Sequence, residues 1–364
     1  MKKILLTILA VLAMSGMAMA QTAPSDINLH RNDDGSWSFT MPGRNLVMSI
    51  ETFSTNDTVN GHYLAGVPEG WLILALGDTV SVSNDSLRRT TPITEGTPVT
   101  IVPTGNLRRI KSITLVDVVT APEGALNGKF TVSAGGDQVY FSKGNLKYDG
   151  SAWSFFDNQY DYLATHDGTN WDHFGWSTST TTYGMSTSTS IIGDYSGDFV
   201  DWGATMGDGW RTLTKDEWKY LFNTRSASTV GGTENARYAK AKVNDVKGVI
   251  LFPDTYTHPD GVTAPVGVNA TNNTGWNGNS YTVAEWTKME SAGCVFLPAA
   301  GYRGGSEMVS PGTIGYYWSA MPSSTINTYS VYFSSVSLNP VYSNNRYYGY
   351  SVRLVRPAEA ASGM

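Results

Sequence analysis

Two segments of this 364-residue chain begin alike, and together they constrain its fold more than any other feature. Thr214 is followed three residues on by Glu217, and Thr282 by Glu285. At this spacing the threonine hydroxyl accepts from the glutamate's backbone N–H and the glutamate carboxylate accepts from the threonine's, which starts a helix. Behind Thr214, Trp218, Leu221 and Phe222 fall at i, i+3 and i+4. Behind Thr282, Val283, Trp286 and Met289 recur at helical spacing. Two helices are therefore predicted, each with one buried stripe. The rest reads as short strands and long loops. In TYSVYFSS, Tyr329, Val331 and Phe333 face one way, and Ser330, Tyr332 and Ser334 the other. In YGYSVRLV, Tyr350, Val352 and Leu354 oppose Ser351 and Arg353. The pattern predicts an α+β domain with two helices and an irregular antiparallel sheet, and leaves the strand order open.

Residues 25–120 carry a different pattern. WSFTM, LVMSIETF, GWLILAL, DTVSVS, TPVTIVP and KSITLVDVV are β-rich runs punctuated by Gly, Pro, Asn and Asp, so a small all-β module is predicted. Arg88, Arg89, Arg108, Arg109 and Lys111 give it a mildly basic spot, read as solvated strand edges and turns. APEGALNGKF, Ala121 to Phe130, reads as the linker into the second domain. At the front, Lys2 and Lys3, the apolar run Ile4 to Met14 and the small-residue site Ala18-Met19-Ala20 form a signal-peptide pattern. The expected layout is a signal peptide over 1–20, an all-β spacer or docking module over 21–122, a ligand-binding domain over 123–358 and a tail over 359–364. Export to the periplasm, the cell surface or the extracellular space is expected. No later stretch approaches the 18 apolar residues of a membrane span.

Composition narrows the chemistry. Only 15% of residues are charged, against ~25% in a typical soluble chain. The net charge is −6, which argues against a nucleic-acid partner. Cys294 is the only cysteine, so an intrachain disulfide and a cysteine-rich zinc site are excluded, and its apolar surroundings predict a buried, inert thiol. The five histidines are scattered, although His166 and His173 share a loop. Asp167, Asn170 and Asp172 in DGTNWD resemble a fragment of a calcium loop without its bidentate glutamate, and Asp194, Asp198, Asp201 and Asp208 dot a second loop. Both are read as turn-forming aspartates. Ser177 to Ser190 reads as a mobile Ser/Thr loop with no assigned role. No phosphate loop, dinucleotide fingerprint or Gly-x-Ser-x-Gly is present. Neither a cofactor nor a metal is expected, and the chain is read as not an enzyme.

Several segments carry a resemblance. WRTLTKDEWKYLF (Trp210 to Phe222), GYYWSA (Gly315 to Ala320) and YGYSVRLVR (Tyr348 to Arg356) resemble elements of the formylglycine-generating-enzyme fold. FTVSAGGDQVYFSKGNLKY (Phe130 to Tyr148) and CVFLPAAGYRGG (Cys294 to Gly305) are similar to secreted Bacteroidetes proteins related to the Fibrobacter major paralogous domain. The resemblance covers residues 125 to 356 and implies a C-type lectin fold. The oxidase activity is not carried over, because that chemistry depends on a cysteine pair. The calcium-site tripeptides of sugar-binding relatives, Glu-Pro-Asn, Gln-Pro-Asp and Trp-Asn-Asp, are also absent.

The same fold displays the variable regions of diversity-generating retroelements, whose diversified codons lie near the C-terminus. Here Met308 to Asn345 is 38 residues without a charge, and 21 are Ser, Tyr, Asn or Thr. Such a composition suits a binding surface, because Tyr adds contact area at low entropic cost and Ser and Asn adapt their hydrogen bonds. The implied function is that of a secreted, adhesin-like protein recognising a surface protein or glycan. The alternative is a non-catalytic structural component of the envelope or of a surface fibre. The candidate contacts are Tyr316, Tyr317, Met321, Ser323, Asn327, Tyr332, Ser334, Asn339, Tyr342, Asn344, Asn345 and Tyr347. Trp318 is expected beneath that surface, with Arg353 and Arg356 anchoring the terminal strand.

Overall fold

In the computed structural model, residues 121–358 are described except 192, 208 and 272–275. Of the first 120 residues, 27–33 and the strands named below are described. The expected signal segment up to residue 19, the basic-spot residues Arg88, Arg89, Arg108 and Arg109, the side chain of Lys111, Asp208 and the tail 359–364 lie outside the described residues. The chain divides into two compact units, Met1–Thr120 and Ala121–Met364.

The described part of the first unit contains strands only. Ala20–Thr22, Ile110–Asp117, Leu46–Thr52 and Thr58–Val59 form one sheet in that order. His30–Arg31, Trp37–Thr40, Pro98–Pro103, Trp71–Ala75 and Asp78–Val80 form the other. Trp37 and Phe39 are buried and Ser38 and Thr40 are less so, the alternation of a strand with one face on a core.

The second unit mixes two helices with several small, mainly antiparallel sheets. β1 (Ala125–Thr131) and β14 (Val355–Pro357) both pair antiparallel with β2 (Gln138–Ser142), which lies between them. β3 (Leu146–Tyr148) and β4 (Trp153–Phe155) form a hairpin. A four-stranded sheet runs β7 (Ser280–Tyr281), β5 (Tyr238–Val243), β6 (Val246–Leu251), β8 (Val295–Pro298). β9 (Tyr302–Gly304) and β10 (Glu307–Val309) pair. β11 (Ile314–Pro322), β12 (Asn327–Ser334) and β13 (Leu338–Asn345) form an antiparallel meander. Among the described residues no helix is long and apolar enough to cross a membrane.

Both capping boxes form. α1 (Lys215–Asn223) starts at Thr214, whose hydroxyl accepts from the Glu217 N–H while the Glu217 carboxylate accepts from the Thr214 N–H. α2 (Val283–Ser291) repeats this with Thr282 and Glu285. Trp218, Leu221 and Phe222 of α1 enter one core with Phe130, Phe141, Val249 and Leu297. Trp286 and Met289 of α2 enter another with Ile250, Phe252, Cys294 and Phe296. Val283 departs from expectation and is 45% exposed. It is the first residue of α2, and a helical Cβ leans toward the N-terminus, so this side chain points past the end of the buried stripe.

A third core is mainly aromatic and gathers Trp171, Phe174, Trp176, Trp202, Trp318 and Tyr350. The Ser177–Ser190 segment packs against it through Tyr183 and Met185. Tyr183 packs edge-on to Trp153 at 5.6 Å, and its carbonyl accepts from the Trp202 indole at 2.7 Å. A Cβ on Gly184 would fall inside the Gly175 carbonyl, and φ is +82° there, so this close approach requires glycine. Of the two C-terminal arginines, Arg353 is anchored by hydrogen bonds, whereas Arg356 is held by an aromatic ring rather than by an ion pair or a carbonyl. Arg353 is buried and donates to Gln159 Oε1 at 2.5 Å and Asn145 Oδ1 at 3.4 Å, while Arg356 lies over the Trp210 ring.

Candidate ligand-binding surface

The meander separates two cores. Register sets Tyr317 opposite Val331, and Val331 and Phe333 join the α1 core. Register also sets Tyr316 opposite Tyr332 and Ser330 opposite Tyr342, on the other face. The bulge between Ser330 and Tyr332 gives β13 one extra residue, so that Asn339 and Tyr342, of opposite parity, share the tyrosine face.

On that second face the tyrosines touch one another. Ring centroids lie 5.0 Å apart for Tyr316 and Tyr332, 5.1 Å for Tyr332 and Tyr342, and 5.9 Å for Tyr316 and Tyr342. Tyr350 stacks under Tyr316 at 4.4 Å and 15°, and Trp318 lies against Tyr350 at 4.1 Å. Tyr302 and Tyr348 meet edge-to-face at 5.3 Å, and Tyr347 follows at 4.7 Å from Tyr348. The result is a layered cluster in which Trp318, Tyr350 and Tyr316 are buried. Tyr302, Tyr332, Tyr342, Tyr347 and Tyr348 are half-buried above them. Offset and edge-on pairs of this kind each contribute about 0.5–1.5 kcal/mol beyond burial.

Electrostatics keep the cluster neutral. Burial, reinforced by the neighbouring phenols, raises Tyr316 and Tyr350 above the ordinary phenol range. Tyr348 is raised first by its hydrogen bond with the Tyr347 hydroxyl and then by burial. The nearest cations turn inward. Arg303 lies over Trp171 at 5.0 Å, and Arg346 lies over Trp176 at 4.4 Å while donating to the Gly197 and Ser324 carbonyls.

The twelve candidate contacts do not form one patch. Tyr332, Tyr342, Asn339 and Asn344 belong to the tyrosine face by register, with Tyr347 at its border. Tyr316 is 8% exposed and forms the floor of the cluster rather than its contact layer. Tyr317 is corrected to a core residue: it is fully buried, and its hydroxyl donates to the Pro298 carbonyl at 2.9 Å. Adjacent strand residues point to opposite faces, so Tyr316 and Tyr317 cannot share a surface. Ser334 is also buried, and its Oγ accepts from the Val336 N–H in the turn after β12. Asn327 pairs with Asn345 on the opposite face from Tyr342. Ser323 bonds Ser343 at 2.6 Å, and Met321 accepts from Thr328 through its carbonyl. Tyr302, Tyr348 and Tyr350 join the cluster from outside the candidate set. The alternation of Tyr348 and Tyr350 with Val352 and Leu354 is the signal that marks two of them.

The acidic loops behave as turns. Asp167 accepts from the N–H groups of Asn170 and Thr169 and from the Asn170 side chain, which together hold its carboxyl down at about 2. Asp201 caps the short helix Trp202–Thr205 and accepts from Thr212. Asp172 is buried and binds the Leu163 N–H and His173 Nδ1, while His166 packs on Trp171. Among the described residues no group of three metal-ligating side chains converges. Cys294 is buried, and burial pushes its thiol up. Comparison with protein-family models, with curated proteins and with solved structures finds no match.

Proposed function

We propose that the chain is an exported bacterial binding protein. Its second unit adopts a C-type-lectin-like fold and recognises a surface protein or glycan through the tyrosine face. One observation carries the reading: five half-buried tyrosines, with Arg303 and Arg346 turned inward onto Trp171 and Trp176, sit on a packed aromatic floor. Tyrosine rings held in this way offer large contact area with little entropy left to lose on binding. The two capping-box helices and the C-terminal meander support the C-type-lectin reading, and the first unit serves as spacer or docking module.

Contacts of this kind involve few charges, so affinity for an isolated partner changes little between low and moderate salt. A collapse of binding over that range overturns the reading. The double substitution Tyr332→Ala with Tyr342→Ala abolishes binding while the chain stays folded. The gene's surroundings test the diversification that the resemblance implies. A neighbouring reverse transcriptase and a template repeat differing only at adenines are the expected finding. Their absence favours a fixed structural component of the envelope or of a surface fibre.

A further inference from the structure

A second concave site lies in the same unit, built from residues separate from the tyrosine face. It is a cleft of about 620 Å³ between the β3–β4 hairpin, the chain entry at Glu123 and Gly124, and β14. That volume falls within the range of small-ligand pockets, roughly 300–1,000 Å³. Its walls combine Trp153, Phe155 and Trp210 with Lys143, Lys147 and Arg356. Phe155 and Trp210 meet edge-to-face at 4.8 Å. Gly124 lies close enough that an added Cβ would touch both rings, and its φ of +77° is one that glycine adopts freely.

The cations differ in how they are held. Lys143 is paired to the exposed Asp157 carboxylate at 2.7 Å. Lys147 rests over the Phe156 ring at 5.0 Å, and Arg356 over Trp210 at 5.6 Å. Among the described residues neither has a carboxylate within ion-pair distance. A guanidinium seated on an indole is oriented by the ring and keeps its N–H edge for an acceptor. The half-buried Trp153 indole, two ring-seated cations, one of them on the buried Trp210, and a third cation on a solvent-exposed partner therefore converge on one cleft.

This combination selects for one chemistry. The ligand must present a flat C–H face to an indole, a carboxylate to the cations, and hydroxyls to the Glu123 carboxylate and the Ser154 side of the cleft. A uronic acid ring has all three. A neutral sugar leaves Lys147 and Arg356 without an anionic acceptor, and a bare phosphate makes no use of the rings. We propose that this cleft binds the uronic acid units of an acidic glycan. The proposal shares no residue with the tyrosine face, so either can fail without the other.

The test is titration of the full chain with trigalacturonic acid, followed by calorimetry and tryptophan fluorescence. A neutral trisaccharide and inorganic phosphate serve as comparators. The expected result is saturable binding of the acidic trisaccharide with a change in tryptophan emission, weakened by salt. The neutral sugar binds at least about tenfold more weakly, since a charge-assisted contact is worth about one decade or more. Lys147→Ala with Arg356→Gln lowers affinity by a further factor of about ten or more. Asp157→Asn releases Lys143 and removes an opposing charge at an exposed position, so it tightens binding even if the double variant unfolds. Equal binding of neutral and acidic sugars, displacement by inorganic phosphate at the same concentration, no binding at millimolar ligand, or no tightening in Asp157→Asn would overturn the proposal.

Discussion

The two faces of the C-terminal meander are made of similar residues and serve different ends. On one face Tyr317, Val331 and Phe333 are sealed against α1 and the sheet of β5, β6 and β8. On the other Tyr316 is sealed and Tyr332 and Tyr342 remain half-buried. The difference lies in what covers each face. A capped helix brings Trp218, Leu221 and Phe222 down on the first, whereas the second meets the aromatic third core at Tyr316 and Trp318 and leaves Tyr332 and Tyr342 half-buried at its edge. Aromatic content alone therefore does not distinguish a core from a contact surface; the covering element does.

Four measurements can break or sharpen this contrast. Phe333→Ala empties the sealed face and is expected to cost about 3–5 kcal/mol in denaturant unfolding, the range for large core truncations. A cost under 1 kcal/mol would mean that this face is not a true core. On the open face, Tyr332→Ala with Tyr342→Ala removes three ring pairs worth about 1.5–4.5 kcal/mol together in the same assay, and a loss exceeding that of Phe333→Ala would make the tyrosines structural. Thr214→Ala removes the hydroxyl half of the α1 capping box and should cost about 1 kcal/mol, without altering the open face.

The smallest effect concerns Lys240. It is buried and donates to the Thr271 and Ser335 carbonyls, the latter in the turn after β12. Burial lowers its pKa from 10.5 to about 8. A cation with a depressed folded pKa binds fewer protons when folded, so its contribution to stability rises as pH climbs from about 8 to 10.5. The unfolding free energy of the wild type relative to Lys240→Met should increase over pH 8–9. A flat difference would mean that Lys240 titrates alike in both states.

How much of this could be read from the chain depends on range. The helices were legible because a capping box is complete within four residues, and the buried stripes followed from spacing. Val283 was misplaced because periodicity carries no information about a helix end. Tyr332 and Tyr342 are legible from the uncharged span, but that span also takes in Tyr317, which alternation sends to the other face. Tyr302 and Tyr348 reach the cluster through a bridge between Arg303 and Gly349, a contact across 46 residues that no local pattern announces. The basic cleft was invisible for the same reason, since Lys143, Trp210 and Arg356 meet only after folding.

The three-stranded sheet of β1, β2 and β14 has a mechanical consequence. β1 begins beside Ser142, at one end of β2, and β14 finishes beside Val139, near the other. The chain thus enters and leaves the unit at opposite ends of one shared strand. Tension between residues 121 and 358 pulls β1 and β14 along β2 in opposite directions. The backbone bonds across that strand are loaded together, in shear, rather than opened one after another like a zip.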